Sequence, residues 1–91
     1  MTDEPTFHLI LLTASEPVVA AEVTSVVLPA VDGMVGVLAR RAPFTAELGD
    51  GRLTIRRPGR RHRYFVSGGV ADLHENVLTV VAERCLPAGG K

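Results

Sequence analysis

Several residue types and patterns are scarce in this sequence, and each scarcity excludes a class of protein. Cys85 is the only cysteine among 91 residues, which excludes an internal disulfide framework and any metal site built from several thiolates. The apolar runs are short: residues 26–31 and 34–39 fall far below the roughly 18 residues that a membrane-spanning helix needs. The first four residues include two acidic residues and no Lys or Arg, so we expect neither a signal peptide nor an Arg-rich transit peptide.

Apolar residues are plentiful. They make up 46% of the chain, and nine glycines come in addition, so the composition is that of a folded domain and not of a disordered tail. The length allows one small domain with one core. We place that domain at residues 7–86, with an N-terminal extension at 1–6 and a flexible tail at 87–91.

The formal net charge of zero hides a segregation along the chain. Residues 1–39 carry five acidic residues and no Lys or Arg, whereas residues 40–63 carry eight arginines and only two acidic residues. The neutral total argues against general nucleic-acid binding, although the basic middle segment leaves a local version of that function open. Arginine greatly outnumbers lysine, which favours planar, bidentate pairing with anions.

Glycine and proline interrupt the chain too often for long helices, and the segments between them are rich in Val, Thr, Leu and Ile. These segments predict short strands at residues 7–13, 22–28, 45–48, 52–56, 63–67, 70–74 and 77–82. The alternation in residues 52–56 places Leu53 and Ile55 in the core. The sequence therefore predicts an all-β fold, a flattened sandwich or barrel of about eight to ten short strands.

Turn residues separate the predicted strands. Residues 49–51 predict a hairpin between 45–48 and 52–56, and Pro58 with Gly59 predicts a second one. Residues 70–86 lack both Gly and Pro, so a helix is arguable there, but the β-branched run and Asn76 favour a hairpin.

Catalytic and metal-binding patterns find no support. His8, His62 and His74 have no metal-ligand spacing, and no glycine-rich segment precedes a helix as in a phosphate-binding loop. No serine lies in a nucleophile elbow, and Cys85 has only Arg84 as a cationic neighbour, which is typical of an unreactive thiol. We expect no cofactor, no metal site and no active site on this chain.

An arginine cluster surrounds the predicted turn at Pro58 and Gly59. It consists of Arg56, Arg57, Arg60, Arg61 and Arg63, with His62 among them. One interpretation is a solvated hairpin tip, where water screens the like charges. The other is a small β-barrel that binds single-stranded RNA or a phosphorylated ligand, with Tyr64 and Phe65 as stacking candidates. The scarcity of aromatic residues favours the first.

Three blocks of sequence, in order, resemble a known family. They are FHL and EVTSVVLP (7–9 and 22–29), DGMVGVL and RAPFT (32–38 and 41–45), and FVSGGVADL and NVLTVVAE (65–73 and 76–83). Together they resemble the N-terminal β-sandwich domain of the epsilon subunit of F-type ATP synthase, over about residues 7–83.

The resemblance implies a non-catalytic rotor subunit in the central stalk of a proton- or sodium-translocating synthase. It implies two partners, the gamma subunit and the c-ring, and a peripheral position on the cytoplasmic side of the bacterial plasma membrane, with no nucleic-acid partner. By position in the family, the ring-facing loop is Asp32, Gly33, Met34 and Val35, and the gamma-facing residues are Thr13, Arg40, Arg41 and Pro43. The resemblance also implies that Gly33 and Gly36 flank a tight loop, and that Gly68–Gly69 marks a bulge or a close approach between strands.

The sequence departs from the family at three places. Ala39, Arg40 and Arg41 replace the usual Pro-Gly-His, and Met34 stands where an acidic residue is common. Family members also continue into a C-terminal helical hairpin that can inhibit hydrolysis and bind ATP, whereas residues 87–91 carry no helical pattern. We therefore expect neither helix-mediated inhibition nor a nucleotide site on this chain.

Overall fold

A computed structural model describes residues 4–88 of the chain, and within that range it contains strands and turns but no helix. Residues 1–3 of the proposed N-terminal extension and residues 89–91 of the proposed tail at 87–91 lie outside the described range. The eight strands are β1 Phe7–Thr13, β2 Pro17–Val23, β3 Ser25–Ala30, β4 Gly33–Leu38, β5 Phe44–Glu47, β6 Asp50–Arg57, β7 Arg60–His74 and β8 Val77–Pro87. The prediction of an all-β fold with about eight to ten strands is confirmed, and the described residues form eight.

The strands form one continuous sheet in the order β2-β1-β8-β7-β6-β3-β4, with β5 added beside β7. Every pairing is antiparallel except that of β1 with β8, which is parallel. The long strands β7 and β8 run through both halves of this sheet. Consequently the sheet folds over on itself into two packed layers, and the core lies between them.

The core is built by residues that alternate along the strands, because successive side chains point to opposite faces of a sheet. Leu53 and Ile55 are both fully buried, as their alternation predicts. Among the described residues, the hydrophobic core cluster consists of Phe7, Leu9, Leu11, Val23, Val26, Leu28, Val37, Leu48, Leu53, Ile55, Val66, Ala71, Leu73, Leu78, Val80 and Ala82.

The predicted strand at 22–28 is wrong: it is divided between β2 and β3 at Thr24. The backbone N–H of Thr24 donates to the carbonyl of Arg56 at 2.8 Å, and the Thr24 hydroxyl donates to the same oxygen at 3.0 Å. The chain therefore stops pairing with β1, passes through Thr24 and continues as β3 beside β6.

The hairpin predicted at residues 49–51 is also wrong. β5 pairs with β7, and Asp50 and Gly51 already belong to β6. The N–H of Gly49 donates to the carbonyl of Pro29 at 2.9 Å, and the N–H of Leu48 donates to the carbonyl of Gly69 at 2.9 Å. These bonds direct the chain from β5 into β6 without reversing it.

The strands predicted at 63–67 and 70–74 are one strand, β7, which pairs with β6 up to Ser67 and with β5 from Val70. Gly69 lies between these two halves, and a Cβ at this position would be 2.0 Å from the carbonyl oxygen of Val81. The close approach expected at Gly68–Gly69 is confirmed. The expectation for Gly36 is wrong, because Gly36 lies inside β4 with nothing within 4 Å of a Cβ.

The two hairpins at the ends of β7 agree with the sequence. Pro58 and Gly59 connect β6 to β7, and Glu75 and Asn76 connect β7 to β8. Both Glu75 and Asn76 have positive φ, 50° and 65°, as two-residue hairpin turns of this kind require.

Candidate partner-binding surfaces

Hydrogen bonds and strand pairings define two opposite ends of the sandwich. At one end of the sandwich, Thr13, the last residue of β1, pairs with Ala82 of β8, and Ala82 pairs with Gly69 of β7. The Gly69 carbonyl accepts a hydrogen bond from the N–H of Leu48, which lies beside the turn at 31–32. We call this the Asp32 end. At the other end, the N–H of Arg40 donates to Asn76 Oδ1 at 2.8 Å, and Asn76 Nδ2 donates to the carbonyl of Thr6 at 3.1 Å. We call this the arginine end.

The four residues of the predicted ring-facing loop lie together at the Asp32 end. Only Asp32 belongs to the turn itself, whereas Gly33, Met34 and Val35 begin β4. Met34 is 60% exposed and points away from the core, while Val35 packs partly against it. The N–H of Val31 donates to the carbonyl of Glu47 at 3.0 Å, so the turn is fixed to β5 rather than left free.

The predicted gamma-facing residues are divided between the two ends. Thr13 ends β1, where its hydroxyl closes the 13–16 turn by accepting from the N–H groups of Ser15 and Glu16. Arg40, Arg41 and Pro43 are exposed at the arginine end, beyond the start of β1. The six residue steps along β1 correspond to about 20 Å. A partner that contacts both groups must therefore extend along the full length of β1.

Arg40 and Arg41 are held in defined positions despite their exposure. Arg40 has a φ of 66°, an uncommon value for a residue with a side chain, and its N–H is bonded to Asn76. The guanidinium of Arg41 lies over the ring of Phe44, 4.5 Å from its centroid. This cation–π contact limits the motion of the Arg41 side chain.

The arginine cluster occupies the tip of the β6–β7 hairpin, also at the arginine end. Arg56 lies opposite Arg61, and Arg57 lies opposite Arg60. The two aromatic candidates for base stacking do not share a surface: Tyr64 packs against the core, whereas Phe65 is exposed on the opposite face with the Arg52 guanidinium 5.5 Å from its ring centroid. This arrangement does not favour a stacking platform for single-stranded RNA.

One exposed apolar surface was not found from the sequence. The outer face of the β4–β3–β6–β7–β8 layer carries Met34, Leu38, Val27, Phe65 and Leu86, each at least 38% exposed. Arg52 and Arg63 lie between them. The sequence does contain a signal for this surface, because these strands carry apolar residues on both faces. A local pattern, however, cannot distinguish exposed apolar residues from core residues. Mixed apolar and arginine surfaces are typical of protein interfaces.

The contacts of the histidines and acidic side chains can be followed within the described residues. No group of three or more His, Cys, Asp or Glu within residues 4–88 is placed to hold a metal ion. His8 Nδ1 lies 2.9 Å from Glu22 Oε2, and this hydrogen bond, with one from Thr6, holds the pKa of Glu22 below its usual value. The three histidines lie apart: His74 faces Glu75, and His62 lies on the inner side of β7.

Cys85 gives a prediction about reactivity. Burial raises the pKa of its thiol above the ordinary value, so less thiolate is present at neutral pH than in the unfolded chain. We expect iodoacetamide to alkylate native Cys85 more slowly than the urea-unfolded protein at pH 8. The difference between the two alkylation rates should narrow as the pH rises through the pKa of the native thiol. Mass spectrometry monitors the alkylation. Equal alkylation rates in the native and the unfolded state would show that burial does not protect the thiol.

The fold defines a class, a small β-sandwich with exposed apolar and arginine-rich surfaces. The model of the ATP synthase delta/epsilon chain β-sandwich domain matches residues 6–88. The chain therefore belongs to the ATP synthase delta/epsilon family. Within residues 4–88 the structure contains no helix long and apolar enough to cross a membrane.

Curated relatives agree with this assignment. The chain is 34% identical to the ATP synthase epsilon chain of Thioalkalivibrio sulfidiphilus over 85 residues, covering 91% of this chain and 60% of that one. It is 38% identical to the epsilon chain of Nitratidesulfovibrio vulgaris over 80 residues, covering 88% and 60%. The chain thus spans about 60% of the length of the curated relatives it matches.

Solved structures share the fold. A chain in the cryo-EM structure of the Euglena gracilis mitochondrial ATP synthase, OSCP/F1/c-ring in rotational state 1, superimposes with a TM-score of 0.86 at 23% identity, covering 94% of this chain and 56% of that one. A chain in the cryo-EM structure of the Tetrahymena thermophila mitochondrial ATP synthase, central stalk/c-ring, superimposes with a TM-score of 0.80 at 13% identity. The match covers 94% of this chain and 69% of that one. At these identities the likeness concerns the fold alone.

Proposed function

We propose that this chain supplies the β-sandwich of a non-catalytic rotor subunit in the central stalk of an F-type ATP synthase. It links the gamma subunit to the c-ring, so that proton or sodium translocation is coupled to ATP synthesis. The observation that carries the proposal is the family match over residues 6–88. The complex would lie at the cytoplasmic face of the bacterial plasma membrane, with this chain peripheral to it.

The two ends of the sandwich suit a link between two partners. The Asp32 end, with Asp32, Gly33, Met34 and Val35, is proposed to face the ring. Because Met34 is exposed, this contact would be more apolar than in relatives with an acidic residue there. Arg40, Arg41 and Pro43 at the arginine end, and Thr13 at the far end of β1, are proposed to face gamma.

The sandwich is built to pass a load between these ends. All eight strands belong to one hydrogen-bonded sheet, and β7 and β8 are shared by both layers, which pack around a common core. Closely packed interiors resist compression and transmit strain. The mechanism is therefore mechanical, and no proton transfer or bond cleavage on this chain is required.

The size of the surface is consistent with two contacts. A standard interface buries about 800 Å² on each partner. Two of these would cover more than a quarter of the 5697 Å² that this chain exposes. A subunit in that position needs exposed apolar residues, which the outer face around Leu38 and Leu86 provides.

Purification of the tagged chain from detergent-solubilised membranes of its host tests the proposal. We expect gamma and c subunits to co-purify in amounts visible by mass spectrometry, with no change after nuclease treatment. Recovery of RNA-binding proteins or of nuclease-sensitive complexes, without gamma, would contradict it.

A further inference from the structure

The arginine cluster at the β6–β7 hairpin is a feature that the proposed rotor function does not use. Arg56, Arg57, Arg60 and Arg61, together with Pro58, Gly59 and Glu4, line one open concavity of about 410 Å³. Arg56, Arg60 and Arg61 are exposed, and Arg57 is half-buried. Four guanidinium groups are thus presented within a two-strand tip.

The positions of these arginines are unfavourable for the isolated chain. Arg56 lies directly opposite Arg61, and Arg57 directly opposite Arg60, and like charges in opposed positions of a sheet destabilise it. Within residues 4–88 the ion pairs are His8–Glu22 and His74–Glu75, so no arginine has a carboxylate within 4 Å. Because successive residues of a strand point to opposite faces, one pair lies on each face of the hairpin. An anion bound at the tip beside either pair would relieve its repulsion.

The surroundings of the cluster indicate what kind of anion fits. Pro58 is the only apolar residue that lines the concavity, whereas the tight contacts of protein partners usually centre on buried apolar or aromatic anchors. Nucleic-acid bases would need stacking surfaces, and Tyr64 and Phe65 lie on opposite faces of β7. What remains is a dense array of planar donors, and guanidinium groups match phosphate oxygens in bidentate geometry.

From these observations we infer that the hairpin tip is a binding site for chains of linked phosphate groups, as in inorganic polyphosphate. The ligand wraps over the tip at Pro58 and Gly59, where its successive phosphates accept hydrogen bonds from the arginine pair on each face of the hairpin. Because no surface for a base adjoins the cluster, the phosphates alone supply the affinity. The site lies at the arginine end, near the proposed gamma contact, but uses none of the residues named for the contacts with gamma or the ring.

Calorimetric titration of the full chain with inorganic tripolyphosphate at low salt tests the inference. We expect saturable binding with one ligand per chain, which weakens as salt is added because the contacts are ionic. The double variant Arg60→Gln/Arg61→Gln should bind at least about tenfold more weakly, since each charge-assisted bond contributes substantially.

The matched control is Arg52→Gln/Arg84→Gln, which removes the same charge elsewhere on the outer face of the sheet and should bind within about twofold of the parent. A thermal melt by circular dichroism establishes that both variants are folded. Absence of binding, or an equal loss in both double variants, would overturn the inference, because a general charge effect does not distinguish positions.

Three further ligands separate the alternatives. ATP should bind no more tightly than tripolyphosphate, and long-chain polyphosphate more tightly. An oligo-glutamate or a single-stranded oligonucleotide of the same charge should bind more weakly than polyphosphate. Tighter binding of the peptide would identify an acidic protein segment as the ligand, and tighter binding of the oligonucleotide a nucleic acid; either result would overturn the phosphate assignment.

Discussion

Replacement of Gly69 by alanine is expected to cost about 4 kcal/mol or more of folding free energy, combining backbone strain and overpacking. Gly69 has a φ of 122°, which side-chain-bearing residues rarely adopt, and an added Cβ would lie 2.0 Å from the carbonyl oxygen of Val81. The obstacle is backbone of the paired strand β8, which cannot move without breaking the ladder. Since domains of this size are only marginally stable, we expect most of the variant to be unfolded at 37 °C.

Two other glycines of the chain serve as controls, and urea unfolding measures all three variants. Gly33 also has a positive φ, 129°, but nothing lies within 4 Å of an added Cβ, so Gly33→Ala should show strain alone, about 1–2 kcal/mol. Gly36 has neither feature, and Gly36→Ala should change stability by less than about 1 kcal/mol. A Gly69→Ala variant as stable as Gly36→Ala would show that β7 and β8 do not approach as described.

Truncation of Leu9 to alanine should destabilise the domain by about 2–5 kcal/mol. Leu9 is fully buried in the middle of β1, where it pairs with Leu78 of β8 and Ala21 of β2. The loss combines the transfer free energy of the removed carbons with the cavity left between the layers. Chemical unfolding, monitored by circular dichroism, measures this loss of stability as a lower denaturant concentration at the unfolding midpoint.

Leu86→Ala provides the comparison for Leu9→Ala. Leu86 is 66% exposed on the outer face, so its truncation should change stability by less than about 0.5 kcal/mol. The same variant examines the outer face as a partner surface, since lost co-purification with intact folding would assign Leu86 to an interface. Equal destabilisation by both leucine variants would contradict the layer assignment.

Features set by neighbouring residues were predictable from the sequence. The alternation around Leu53 and Ile55 identified the buried face of β6, and Pro58 with Gly59 identified the hairpin that follows. Asn76 favoured a hairpin over a helix at 70–86, because its αL conformation suits a two-residue turn. The fold class followed from these local signals and from the family resemblance.

Features that depend on distant pairing were not predictable. The pairing of β5 with β7 is accompanied by the hydrogen bond from Leu48 to Gly69, residues far apart in sequence. The crossing at Thr24 depends on the carbonyl of Arg56, which no local pattern reveals. The same limit applies to the surfaces. The residues 32–35 are contiguous, so the resemblance alone could identify them as one group. That Thr13 and Arg40 lie at opposite ends of the sandwich was visible only in the three-dimensional structure.

A link between two partners must touch both, and site-specific photo-cross-linking measures this most directly. A benzophenone amino acid is placed at Met34 in one variant and at Arg41 in another, each expressed in the host and irradiated in native membranes. We predict a product with the c subunit from position 34 and a product with gamma from position 41, each identified by mass spectrometry. Products with neither subunit, from variants that are folded and abundant in the membrane fraction, would contradict the rotor assignment.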